Sequence, residues 1–155
     1  MMLRYTPIPS ADVTALQQGK PDAYGMIPER HISDGQGMPC RHCLANIDAG
    51  APYLILAYRP FPALQPYAET GPIFLHAEEC KAYEEAAKPP ILTTSKDYIL
   101  RGYSNEHRII YGTGAATAVE DIERYAAELL NRNDVAYVHV RSARNNCYQC
   151  RIEAA

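Results

Sequence analysis

The stretch Val135-Ala136-Tyr137-Val138-His139-Val140-Arg141 alternates strictly and reads as a strand. Successive side chains on a strand point to opposite faces, so Ala136, Val138 and Val140 share one face and Val135, Tyr137, His139 and Arg141 the other. Upstream, residues 117–132 carry Val119, Ile122, Tyr125, Ala126, Leu129 and Leu130 at helical spacing. Thr117 with Glu120 fits a capping box, and Asn133-Asp134 ends the helix. Downstream, residues 147–153 return as a second strand across residues 142–146. On the other side of the helix, residues 98–103 and 108–111 read as a hairpin around Ser104-Asn105-Glu106. Strands outnumber helices, and most neighbours are joined by hairpins. The expected class is α+β: a mostly antiparallel sheet with one long helix packed on it and one or two short helices.

The remaining segments fill in that plan. Residues 53–58 are mostly apolar and read as a strand of the same sheet, covered on both faces. Residues 71–76 are another strand, and the Ala- and Glu-rich run 77–88 is a short helix that Pro89-Pro90 stops. Between them, Pro60, Pro62 and Pro66 make residues 59–70 an irregular excursion. Residues 24–32 form a strand that Pro28 breaks or confines to an edge. A short helix is expected over residues 11–18, capped by Ser10 or Asp12. At 155 residues the chain is expected to be a single domain, residues 1–155, in which residues 1–22 pack loosely.

Composition narrows the function classes. With 18 acidic against 15 basic residues, the formal charge of −3 lacks the basic excess of a nucleic-acid binder. No run approaches the ~18 apolar residues of a membrane span, and the N-terminus carries no signal-like apolar core. The expectation is a soluble cytoplasmic protein with no membrane or nucleic-acid partner, in a compartment where thiols stay reduced.

All five cysteines fall in three places: Cys40-x-x-Cys43, Cys80 four residues after His76, and Cys147-x-x-Cys150. Zinc takes four thiolate or imidazole ligands, and Cys-x-x-Cys supplies two from one turn. The candidate metal ligands are therefore Cys40, Cys43, Cys147, Cys150, His76 and Cys80. Several details weigh against a compact zinc module. Between Cys43 and Cys147 lie 103 residues, and Leu44 stands where a zinc knuckle often has glycine. Cys147 and Cys150 sit three apart on a strand and face opposite sides. A thiol enzyme is an alternative, with His42 and His76 as bases for a nucleophilic cysteine. So is ordinary burial, since reduced cysteine behaves as a small hydrophobe.

Alternation offers a second candidate. If residues 98–103 and 135–141 are neighbours, Arg101, Tyr103, His139 and Arg141 converge on one sheet face. Arginine presents a planar fork of donors to carboxylate or phosphate, which makes this face a candidate small-anion site. A plain solvated face is the alternative. Gly112-Thr113-Gly114 lacks the Gly-Lys-Ser/Thr ending of a P-loop.

The order and spacing of Met38-Pro39-Cys40-Arg41, Gly71-Pro72-Ile73-Phe74 followed by Cys80, Leu100-Arg101-Gly102-Tyr103, and Val140-Arg141 ahead of Cys147 resemble a bacterial family catalogued as domain of unknown function 1203. The resemblance runs from about Gly37 to the end of the chain. It implies a small single-domain protein and lends no activity, substrate or catalytic residue.

Overall fold

The computed structural model describes residues 1–155. It contains eight strands, β1 (Leu3–Thr6), β2 (Glu29–Ile32), β3 (Pro52–Tyr58), β4 (Gly71–His76), β5 (Asp97–Tyr103), β6 (Ala115–Ala118), β7 (Tyr137–Ser142) and β8 (Tyr148–Ala154). Two α-helices, α1 (Ser10–Gln17) and α2 (Ile122–Leu130), accompany them. The strands form two antiparallel sheets, one of five strands in the order β1-β8-β7-β5-β6 and one of three in the order β2-β3-β4. The class is α+β, as the sequence suggests, but β3 belongs to the smaller sheet rather than to that of β5 and β7. No helix is long and apolar enough to cross a membrane.

The alternation of β7 sets the layering. Val138 and Val140 pack with Leu100 of β5, Ile152 of β8, and Ile122, Ala126 and Leu129 of α2 in the main core. The opposite face turns toward the smaller sheet and the proline-rich loop, where Phe61 covers Tyr103 and Tyr137. A second core joins Val13 and Leu16 of α1 to Leu54 and Leu56 of β3 and Ile73 and Leu75 of β4.

Several expected elements differ, each for a local reason. The long helix over residues 117–132 is shorter: a 3-10 turn, Val119–Asp121, leads into α2. Thr117 does not cap it. Its backbone pairs with Tyr98 in the β6 ladder, and its hydroxyl donates to Ala115 O at 3.1 Å. Residues 77–88 form no helix despite their Ala and Glu content. Tertiary contacts override that propensity: Tyr83 N–H donates to His42 O at 3.0 Å, and Cys80 is drawn to Cys40. Residues 108–111 make only an isolated bridge, Tyr103 to Ile109, and the strands that pair with β5 are β6 and β7. In the N-terminal segment, expected to pack loosely, β1 pairs with β8, and Tyr5, Ile8 and Val13 are buried. α1 begins at Ser10 after Pro9, with no side-chain cap.

Ile122 is fully buried beneath α2, whereas Leu64 is 79 % exposed. Ile122→Ala should therefore cost about 2–5 kcal/mol in urea unfolding, against less than about 0.5 kcal/mol for Leu64→Ala.

Candidate functional site

Residues 40–44 form a tight turn between the two sheets. Leu44 N–H donates to Cys40 O at 3.0 Å, and Cys40 N–H to Ala45 O at 3.0 Å. Leu44 adopts φ 53°, the left-handed backbone that usually calls for glycine. The absence of glycine there, which argued against a knuckle, is met by tertiary packing: the Leu44 side chain is fully buried in the main core. The turn is fastened on several sides. Arg41 N–H donates to Phe74 O, Ile8 N–H to Arg41 O, and Ile91 N–H to Leu44 O. The Arg41 guanidinium reaches Tyr148 O at 2.7 Å and Pro39 O at 2.6 Å.

This fastening aims two sulfurs at the end of β4. Ligand atoms of Cys40, Cys43, His76 and Cys80 all lie within 4.8 Å of one another, and the cluster could hold a metal ion. Cys40 Sγ is 3.9 Å from Cys80 Sγ, and Cys43 Sγ is 3.5 Å from His76 Nδ1. The His76 backbone N–H also points at Cys40 Sγ, at 3.4 Å. Cys40 is buried and the other three are partly exposed. Hydrogen bonds from Cys43 and Cys80, then from His76 and the Cys43 amide, hold the Cys40 thiol far below its ordinary range against the effect of burial. The hydrogen bond to Cys40 in turn pushes Cys43 up to about 11 and raises Cys80 strongly. His76 is raised, chiefly by its hydrogen bond to Cys40.

His42, between the two cysteines of the turn, is buried beside this group. Its Nδ1 lies 3.2 Å from Cys80 Sγ and its Nε2 2.9 Å from Ser10 Oγ. Burial, the largest influence, lowers its pKa. An Nδ1–H tautomer donates to the Cys80 sulfur while Nε2 accepts from the Ser10 hydroxyl. Spacing alone gave no hint of Ser10.

Cys147 and Cys150 are not part of the cluster. Cys150 is buried in the main core, where burial pushes its thiol up to about 12. Cys147, just before β8, is partly exposed and directs its sulfur at Asn145 O. The β7–β8 register shifts between Val140 and Arg141, beside Cys150, yet this irregularity does not bring Cys147 or Cys150 to the cluster, so of the six candidate ligands four come together and these two do not.

The basic residues of the large sheet do share a face. Register pairs Thr6 with Arg151, Arg151 with His139, and His139 with Arg101, a row across four strands. The face is not solvated: His139 and Arg141 are buried. Glu69, from the proline-rich loop, brings its carboxylate to Arg101 in an ion pair. The same carboxylate lies 3.2 Å from Tyr103 OH and 3.6 Å from Arg141 Nη1. The anion beside Arg101, Tyr103 and Arg141 is thus a side chain of the chain itself. His139 is not in that group. Glu69 and Arg151 were missed: nothing in a loop's spacing announces a carboxylate bound to a distant sheet, while alternation along β8 would have found Arg151 opposite Cys150.

Burial raises the Glu69 pKa, but Arg141 and then Arg101 outweigh it and hold the carboxyl below its ordinary range. Its folded value lies below the unfolded one. The stabilisation is therefore complete above the unfolded value of about 4.3 and is lost as pH falls through the depressed folded value. Glu69→Gln should be less stable than the wild type at neutral pH by about 1–3 kcal/mol, with the gap closing on acidification. Paired chemical-denaturation curves at neutral and acidic pH measure it.

No curated protein and no solved structure matches the chain. The family described as "Protein of unknown function (DUF1203)" matches residues 37–154, which span the turn, all four clustered donors and the basic face. The chain belongs to that family.

Proposed function

We propose that Cys40, Cys43, His76 and Cys80 bind zinc and that the protein works as a metal-holding module. The carrying observation is the spacing of the donors. Bonds of about 2.3 Å to sulfur and 2.0 Å to nitrogen, meeting at tetrahedral angles, put two sulfurs about 3.8 Å apart and a sulfur and a nitrogen about 3.5 Å apart. The corresponding separations here are 3.9 Å and 3.5 Å. A soft donor set of three thiolates and one imidazole suits zinc. Charge is compatible with the same reading: a divalent ion with three thiolates keeps one negative charge, and the buried Arg41 guanidinium feels Cys147 first and then Cys40 of the cluster. His42 then serves as an outer partner, donating to the Cys80 sulfur and fixing its direction. Four protein donors leave no open coordination position, which favours a structural over a catalytic ion.

A second reading rests on the chain Ser10–His42–Cys80, with contacts of 2.9 Å and 3.2 Å. That arrangement suits a thiol nucleophile, its base and an orienting hydroxyl.

Metal content and thiol accessibility separate the two. Protein purified without chelator should carry about one zinc per chain, bound through three sulfurs and one nitrogen by X-ray absorption. Cys40→Ser and Cys80→Ser should lose it, whereas Cys147→Ser and Cys150→Ser should keep it. His42→Ala should weaken zinc binding about 10–100-fold. Metal-free protein with Cys80 alkylated fastest by iodoacetamide would overturn the zinc reading in favour of the nucleophile.

A further inference from the structure

A second feature stands apart from the thiol cluster and is independent of the zinc reading. Between the basic face of the large sheet and the proline-rich loop lies a cavity of about 310 Å³. Thr6, Arg151 and His139, three consecutive members of the cross-strand row, line it together with Arg59, Phe61 and Tyr58. This size and mixed lining fall at the small end of ligand pockets.

His139 is fully buried, yet neither ring nitrogen has a hydrogen-bond partner. Its ring is fixed by aromatic neighbours, with centroids 4.6 Å from Tyr103, 4.9 Å from Tyr148 and 5.2 Å from Phe61. Burial first, then Arg141, Arg151 and Arg101, keeps it neutral, so it carries one N–H donor and one bare nitrogen. Leaving both unpaired is costly. Arg151 repeats the pattern. One terminal nitrogen pairs with Glu153 at 2.6 Å and the guanidinium lies over the Tyr137 ring, but its buried Nε has no partner. Arg59 donates only from Nε, to Phe61 O at 3.1 Å, and its terminal nitrogens face no carboxylate. The sole acid lining the cavity is Asp12. Cationic and neutral donors thus outnumber acceptors around this space, while at the other end of the basic face Glu69 pairs with Arg101 and lies 3.6 Å from Arg141, whose Nε and Nη2 are also without partners.

We propose that this cavity binds a small organic anion, its carboxylate or phosphate oxygens held by Arg59, Arg151 Nε and a ring N–H of His139, its carbon part resting on Phe61 and Tyr58. Glu69 closes the Arg101–Arg141 end, so the ligand engages the Arg59–Arg151 end. Phe61 and Arg59 stand on the same irregular loop as Glu69, but Glu69 itself does not line the cavity.

Titration calorimetry with inorganic phosphate, succinate and benzoate tests the site on the full chain. At least one should bind saturably, and which one distinguishes a phosphate from a carboxylate head. Binding should shift the His139 ring-nitrogen resonances in the wild type, a measurement that needs no variant. Arg59→Gln alters a partly exposed residue outside the cores and should weaken binding about tenfold or more, the loss expected for one charge-assisted hydrogen bond. His139→Phe keeps the aromatic packing and should weaken it to a similar degree. Glu69→Gln should leave affinity unchanged. The proposal is overturned if none of the three anions binds at millimolar concentration, or if His139 resonances stay fixed while binding saturates. A response to Glu69→Gln without one to Arg59→Gln would also overturn it, by placing the anion on Arg101 and Arg141.

Discussion

The buried guanidinium of Arg41 fastens the two sheets to each other. It leaves the Cys40–Leu44 turn and donates to the backbone of β8, while the backbone of the same residue bonds to β4 and to the segment before α1. The residues around it divide between the two cores, Cys40 in one and Leu44 in the other. Burial pushes its pKa down to about 10, so it remains charged at neutral pH. A buried charge is tolerated only where partners surround it, and here the Tyr148 and Pro39 carbonyl oxygens supply them. The left-handed backbone at Leu44 follows from the same arrangement. Strain of about 1–2 kcal/mol is held by a fully buried leucine and three sets of backbone hydrogen bonds. The positions of Cys40 and Cys43 are consequences of this joint.

The basic face shows how a chain manages charge that it cannot leave in water. β7 and β5 place Arg101 and Arg141 on the side away from α2, and a loop then covers that side. Glu69 comes with the loop and sets one carboxylate against the Arg101 and Arg141 guanidinium groups. Neutralisation is uneven, because a single carboxylate serves one end of a row that extends to Arg151. His139 lies at the midpoint, stacked but unbonded. The face is therefore a buried polar layer between sheets, in contrast to the plain solvated face that antiparallel sheets often present.

Much of the large sheet was legible in the sequence because alternation is a local signal. Val138 and Val140 announced the side that meets α2, and Tyr137, His139 and Arg141 the other; β4 was readable end to end. What escaped depended on partners distant in sequence. Helical propensity over residues 77–88 lost to the pull of Cys80 and Tyr83 toward the 40–44 turn. Thr117 had the chemistry of a cap but was claimed by the β5 ladder. Among the metal candidates, Cys40, Cys43, His76 and Cys80 converge, whereas Cys147 and Cys150 repeat the motif without the turn that would give it meaning. A Cys-x-x-Cys spacing on a strand is a different object from the same spacing on a knuckle. The glycine rule misled at Leu44 because tertiary packing can hold a conformation that local preference disfavours.

The pairing of β1 with β8 joins residues about as far apart as this chain allows. Such topology gives a high contact order and slow folding, since loop-closure entropy must be overcome before the ladder rewards it. On a ribosome adding about 5–20 residues per second, β1 waits on the order of ten seconds for its partner. Cys40, Cys43, His76 and Cys80 emerge well before β5 to β8 do. The thiol cluster and the three-stranded sheet can assemble while the five-stranded sheet is still only an early strand without a neighbour. In order of synthesis the Tyr148 carbonyl is among the last groups to reach Arg41, so the joint between the two sheets closes late.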